Sequence, residues 1–249
     1  MLHFNRQGDG PEVVLVHGFL GSGKIFEPLI KHLAAHFCVI TIDLPGFGNS
    51  YDEPVPDSVE SLCETVADTL RFAGIQQCSM LGHSLGAWIA LEMSLQQPEL
   101  LRKMILYGGS PDGHCPDRFE TYDRSIERIR GEGITSFAEN LAAEWFQKGR
   151  QDPLYPLARE AGSHSNEAAS IKHVETWNNW RTRDRLVRVK TPTLIVCGDG
   201  DRSTHPKLSF EMWEKIMGSR LSIIPDAGHI AHLEHPVEFN TTVERFLRH

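Results

Sequence analysis

At 249 residues, 40% hydrophobic and 23% charged, the chain has the composition of a globular protein long enough to bury a full core without staples. Its formal net charge of −8 argues against nucleic acid or an anionic membrane surface as a partner. No apolar run approaches the length of a membrane-spanning helix, and residues 1–6 lack the apolar core of a secretory signal. The cysteines, Cys38, Cys63, Cys78, Cys115 and Cys197, are odd in number, scattered and free of Cys-x-x-Cys pairs. They predict reduced thiols, a cytoplasmic protein and no zinc site.

Short apolar runs rich in β-branched residues fall at 13–16, 38–42, 79–81, 104–107, 193–197 and 221–224. They are apolar on both faces, as strands of a helix-covered parallel sheet are. Helical stretches at 25–35, 58–73, 85–97, 206–217 and 236–247 alternate with them, and residues 2–6 read as an edge strand. This alternation predicts a doubly wound α/β sheet with right-handed crossovers. From 113 to 188 the pattern breaks. Apolar residues there recur at helical spacing (Phe119, Tyr122, Ile126, Ile129; then Ile134, Phe137, Leu141, Trp145), with Gly131 and Gly133 between the two runs. The expected organisation is a core of residues 1–112 and 189–249 with a helical lid, 113–188, over the strand ends, where open α/β sheets bind ligands.

The stretch with most chemical content is Gly82-His83-Ser84-Leu85-Gly86, between a strand and a helix. Gly-x-Ser-x-Gly at such a junction forces Ser84 into a strained backbone conformation. Side chains at 82 and 86 would collide with their neighbours. The hydroxyl is then presented at a helix N-terminus, which favours developing negative charge. A serine is a poor nucleophile until a base takes its proton, and that base needs a carboxylate to hold it. Two other strand ends supply these groups: Gly198-Asp199-Gly200-Asp201 and Asp226-Ala227-Gly228-His229. Ser84, Asp201 and His229 are the expected triad. Asp201 is preferred to Asp199 because it lies further past the strand, beyond Gly200, where the loop turns back toward His229. The oxyanion donors expected are the amides of Leu85, after the nucleophile, and Phe19, in the His17-Gly18-Phe19-Leu20-Gly21 loop.

These landmarks, together with Asp43-Leu44-Pro45-Gly46-Phe47-Gly48-Asn49-Ser50, resemble in order those of the α/β-hydrolase fold, over nearly the whole chain. The resemblance implies a mostly parallel sheet of eight strands, or seven where the short N-terminal stretch omits the first, with helices on both faces and a lid after the sixth strand. Haloalkane dehalogenases and epoxide hydrolases carry Asp where Ser84 stands. Carbon–carbon hydrolases usually have Met-Gly-Gly after the Ser and Trp after the His, against Leu85-Gly86-Ala87 and Ile230 here. The chain is more similar to small carboxylesterases, enol-lactonases and pimeloyl-ester hydrolases. A carbon–carbon hydrolase, a menaquinone-pathway-type lyase and a non-catalytic binding protein are the alternatives on this fold.

Three further patterns were weighed. Gly18 to Ile25 approximates a phosphate-binding loop, but Ile25 offers no hydroxyl to Mg²⁺. His229, His232 and His235 recur every third residue without an acidic or Cys ligand set. His229 is read as catalytic and the other two as surface or helix-start residues, with no metal. The ten arginines of 113–188 are capable of pairing with a substrate carboxylate, but twelve acidic residues balance the segment and most are read as solvated. Trp145, Phe146, Trp177 and Trp180 are the aromatic candidates for the pocket. The expectation is a serine hydrolase, monomer or homodimer, that cleaves a small carboxylic ester, thioester or lactone without a cofactor.

Overall fold

The computed structural model describes residues 1–115 and 118–249, so the expected start of the insertion is seen only in part. Seven strands form one sheet: β1 (Phe4–Gln7), β2 (Glu12–Val16), β3 (Cys38–Ile42), β4 (Cys78–His83), β5 (Leu101–Tyr107), β6 (Thr193–Gly198) and β7 (Arg220–Ile224). Their spatial order is β1-β3-β2-β4-β5-β6-β7. Only β1 runs antiparallel to its neighbour. β3, β4 and β6 are buried along their whole length, which is why their sequences read as unbroken apolar runs. β1 begins at Phe4 rather than Leu2, because the Leu2 amide leaves the ladder to donate to Thr69 Oγ1 at 3.3 Å.

From β2 the chain moves outward to β3 and returns on the other side to β4. The switch point therefore lies between β2 and β4, and the crevice for a ligand opens at their carboxyl ends. The loops there are those beginning at His17 and His83.

Helices α1 (Glu27–Leu33), α2 (Val59–Phe72) and α3 (Leu85–Gln96) precede β5. α1 is shorter than its pattern because Gly23–Phe26 forms a 3-10 turn and Pro28 opens the α-helix proper. α2 is capped by Ser58, whose Oγ accepts from the Ser61 amide at 3.1 Å. α3 has no polar stripe and is buried from Leu85 through Ser94, with α2 packed against it. Beyond β6 come α8 (Pro206–Lys215), the short α9 (Ala231–Glu234) and α10 (Pro236–Arg248), which packs on α1.

Between β5 and β6 lie α4 (Tyr122–Glu132), α5 (Ile134–Glu144), α6 (Tyr155–Gly162) and α7 (Glu167–Trp177). The first two match the two apolar runs, broken at Gly133, which takes φ of 77°. α7 escaped the pattern because its buried face includes Ser170, His173 and Thr176 as well as Val174 and Trp177.

The end of this helical segment is fastened to α3 through a fully buried carboxylate. Glu92 accepts from Trp180 Nε1 at 2.9 Å, from both Nη atoms of Arg185 at 2.9 and 2.8 Å, and from Gln96 at 2.9 Å. Burial pushes its pKa up, but the bonds from Arg185, Gln96 and Trp180 outweigh that and hold it below the usual carboxylate value of 4.5. The ionised form is thus favoured by folding. Its contribution is present above about pH 4.5 and fades as the pH falls through the lower folded value. Glu92→Gln should lower the unfolding free energy at pH 7 by about 2 kcal/mol. Urea titrations should show the gap from wild type narrowing below pH 4.5. Equal stability at pH 7 would mean that the desolvation of Glu92 cancels its bonds.

Candidate active site

The turn from β4 into α3 is as tight as its glycines suggest. A Cβ on Gly82 would lie 2.0 Å from Gly86 O, and one on Gly86 would lie 2.2 Å from Val16 O. Neither contact is tolerable. Between them Ser84 has φ 53° and ψ −114°, a strained combination for a residue with a side chain. The Ser84 amide is spent on Tyr107 O at 2.8 Å, which pins the turn to β5.

His229 follows β7 and is 3% exposed. Its Nδ1 lies 2.8 Å from Asp201 Oδ2, in the loop after β6. The other oxygen, Asp201 Oδ1, accepts from the amides of Ser203 and Thr204 at 2.8 and 2.9 Å, which fixes the carboxylate toward the ring. Thr204 Oγ1 lies 2.9 Å from Asp201 Oδ2 and 2.7 Å from Gly108 O. Asp199 faces elsewhere: its Oδ1 accepts from the Ala227 amide at 3.2 Å and ties the two loops together. Ser84 and His229 border one cavity, with no direct hydrogen bond between them in this structure. Catalytic contacts of this kind often tighten only with substrate.

Leu85 is the first residue of α3, so its amide has no acceptor within the helix. Among the described residues nothing accepts from it or from the Phe19 amide. His17 ties the Phe19 loop to the loop after β3. His17 Nδ1–H donates to Gly18 O at 2.7 Å, and its Nε2 accepts from the Leu44 amide at 2.9 Å. Nearby, the Gly23 amide donates to Asp43 Oδ1 at 2.7 Å. That amide is therefore already committed to a carboxylate rather than open to a phosphate.

The cavity is walled from both sides. The core supplies Phe19, Ile25, His83, Ser84, Leu85 and Trp88, and the chain beyond β5 supplies Cys115, Arg118, Phe119, Tyr122, Leu141, Trp145 and Trp177. Two of the four expected aromatics are therefore at the wall and two are not. Phe146 is buried away from it, edge-on to Tyr155. Trp180 is turned to Glu92 by its indole N–H. Trp88 was missed because nothing in its sequence distinguishes a pocket wall from a helix interior. Tyr122 and Phe119 were read only as parts of an amphipathic face.

His232 lies at a helix start, in the first turn of α9, as one of its two sequence readings had it, but it is fully buried and not a surface residue. Tyr107 O–H donates to His232 Nδ1 at 3.0 Å, and His232 Nε2–H donates to Ile25 O at 3.1 Å. His83, beside the elbow, donates its Nε2–H to His229 O at 3.0 Å. His83 therefore supports the backbone of the candidate base. The helical segment does so too. The His229 amide donates to Trp145 O at 2.8 Å, and Glu234 accepts from the amides of Gln147 and Gly228, each at 2.6 Å.

Burial pushes four of these imidazoles down from 6.5: His17, His83 well below, His173 to about 4 and His232 to about 3. The unfolded chain takes up protons below pH 6.5 that the folded chain refuses, so stability falls as pH falls. His173 and His232 should each cost about 2 kcal/mol by pH 5. Urea unfolding at pH 7, 6 and 5 should show this steep loss well above the carboxylate range. Constant stability from pH 7 to 5 would contradict the buried neutral assignments.

The sequence model of the alpha/beta hydrolase fold matches residues 11–236. The chain is 28% identical to a pimeloyl-acyl-carrier-protein methyl ester esterase of Aeromonas salmonicida, over 97% of this chain and 97% of that protein. It is 30% identical to a 2-succinyl-6-hydroxy-2,4-cyclohexadiene-1-carboxylate synthase of Photorhabdus laumondii, over 98% of this chain and 88% of that protein. Among solved structures, the enol-lactonase of Burkholderia xenovorans superposes with a TM-score of 0.91 over 100% of this chain and 96% of that one. At 22% identity that likeness bears on the fold alone. With its family match, sheet order and strand-end loops taken together, the chain belongs to the α/β hydrolase fold family.

Proposed function

We propose that the protein is a serine hydrolase of small carboxylic esters, thioesters or lactones, with Ser84 as nucleophile, His229 as base and Asp201 as its orienting acid. One observation carries the reading. A strained serine and a buried His–Asp pair, from three separate strand ends, meet at one cavity. The relationship to an esterase supports ester chemistry. The helical segment 113–188 serves as a lid that excludes water and shapes the pocket.

In this reading His229 Nε2 takes the Ser84 proton as Oγ attacks the carbonyl carbon. The amides of Leu85 and Phe19 receive the negative charge that develops on the carbonyl oxygen. His229 returns the proton to the leaving alcohol, thiol or ring oxygen. It then activates water, whose oxygen bonds to the acyl carbon as Ser84 leaves and recovers its proton. Asp201 holds Nδ1 protonated, so that Nε2 is the basic nitrogen, and stabilises the imidazolium.

A fluorophosphonate probe should label Ser84, and Ser84→Ala should abolish the label and lower kcat by about 10⁴-fold or more. Labelling that survives the substitution would identify another serine. The identity to the synthase supports a second reading, a lyase using the same residues. Failure to turn over any short ester, thioester or lactone, with Ser84 still labelled, would favour it.

The two aspartates should separate cleanly. Asp201→Asn should lose about 10³- to 10⁴-fold in kcat, because an amide leaves His229 in the wrong tautomer. Asp199→Asn keeps an oxygen for the Ala227 amide and should lose less than about tenfold. Kinetics on one ester, with circular dichroism showing both variants folded, decide the assignment, and the reverse ranking would overturn it.

A further inference from the structure

Among the described residues bordering the cavity, Arg118 is the only one with a full positive charge at neutral pH, and no acidic side chain borders it. Among the described residues Arg118 makes no salt bridge. Its Nη1 donates to Glu120 O at 3.0 Å and Ser125 Oγ at 2.8 Å, and its guanidinium carbon sits 4.4 Å from the Phe119 ring centre and 5.2 Å from that of Tyr122. Among the described residues no acceptor takes Nε or Nη2. Four other arginines of the segment are paired with carboxylates, Arg124 with Glu127, Arg128 with Glu120 and Glu132, Arg183 with Asp112 and Glu211, and Arg185 with Glu92; what distinguishes Arg118 from the rest is its place at the cavity. Burial draws the Arg118 pKa down, the mark of a desolvated cation, though a guanidinium stays charged.

A second donor at the same wall also lacks a partner. Trp177 is 3% exposed, and its indole Nε1–H is buried with no acceptor. Its ring lies edge-on to that of Tyr122, with centres 5.9 Å apart, so Arg118, Tyr122 and Trp177 are contiguous. Buried donors without acceptors are costly.

We infer that the substrate carries a carboxylate remote from its scissile carbonyl, and that Arg118 binds it. The Nε and Nη2 edge of Arg118 is free for the two-point contact a carboxylate makes. The aromatic and aliphatic wall of Phe119, Leu141 and Trp88 suits a methylene chain between the two ends of such a molecule. This inference rests on the ester-hydrolase reading but deepens it, by naming the class of ester.

The test compares acid esters with neutral esters of the same length. Monomethyl adipate against methyl hexanoate places the acid on the acyl side. 6-Acetoxyhexanoate against hexyl acetate places it on the alcohol side. In at least one pair, wild-type kcat/KM should favour the acid by about 10- to 100-fold. Arg118→Gln should collapse that ratio toward one, and Arg118→Lys should restore part of it. Ser125→Ala, which removes a buried structural partner of Arg118 and Glu120 outside the cavity lining, should leave the ratio within about threefold. A wild-type enzyme that prefers the neutral ester in both pairs overturns the inference. So does an Arg118→Gln variant that slows both members of a pair equally, since that is the signature of a structural role. Binding is read separately on Ser84→Ala protein, by quenching of tryptophan fluorescence with the same four esters. If wild type hydrolyses none of them, the hydrolase reading fails by itself, and the binding arm still decides for Arg118. Preference for the acid esters that is lost in Ser84→Ala/Arg118→Gln supports it, and equal binding of acid and neutral esters sinks it.

Discussion

The clearance between β4 and α3 is the constraint on which the rest of the site depends. Gly82 and Gly86 let the end of a strand, the start of a helix and the end of β2 touch at distances that exclude any side chain. A Cβ on Gly18 would lie 2.9 Å from Ser84 Cβ, so the loop after β2 must also approach the serine closely. The strain at Ser84, of order 1–3 kcal/mol, is sustained because β4 is central. It is fully buried between β2 and β5, and Tyr107 O holds the Ser84 amide. A serine on an edge strand would relax by fraying. The other non-glycine residues at positive φ, Leu20 and Asp226, also follow strands at the same edge of the sheet, after β2 and β7.

A rigid elbow is of little use if its partner drifts. His229 sits on a loop beyond β7, which lies at the sheet edge and is partly exposed. Its position is set from outside that strand. Asp201 holds the ring, His83 donates to the His229 carbonyl, and Trp145 O accepts the His229 amide. Glu234 then joins Gln147 to Gly228 through one carboxylate, though burial draws its own pKa upward. The same helical segment that supplies cavity walls therefore also supports the candidate base. At its other end Glu92 fastens Trp180 and Arg185 to α3, the helix that begins at the elbow. A displacement of this segment would alter the pocket and the His229 backbone together.

The sheet was legible because burial on both faces leaves a simple signature, an unbroken apolar run, and because glycines at 82 and 86 admit few structural explanations. The position of Asp201 against His229 followed from loop length past a strand end. What the sequence concealed was the assignment of buried polar residues. His232 reads as a helix-start histidine, yet Tyr107 and Ile25, far away in the chain, complete its bonds. α7 buries Ser170, His173 and Thr176, which a count of apolar residues scores as exposed. The pocket aromatics were divided by the same effect. Trp145 and Trp180 are equivalent as residue types, and only the carboxylate of Glu92 turns the second away from the cavity.

The polarity of the cavity follows a related logic. Its wall residues include an unsatisfied buried donor, Trp177 Nε1–H, and an unsatisfied buried acceptor, His83 Nδ1, and an acidic wall is missing among the described residues. The protein as a whole carries a formal charge of −8, so its long-range field does not draw anions in. Salt screens that field beyond about 8–10 Å, whereas a desolvated contact is screened far less. Selection for an anion must then be local, at a guanidinium stacked on Phe119 and Tyr122. Such a pair adds little net affinity, because the carboxylate gives up its own hydration to form it. Its larger effect is on discrimination. A neutral ester of the same length leaves the remaining donors of Arg118 without a carboxylate, and that cost falls only on the wrong substrate.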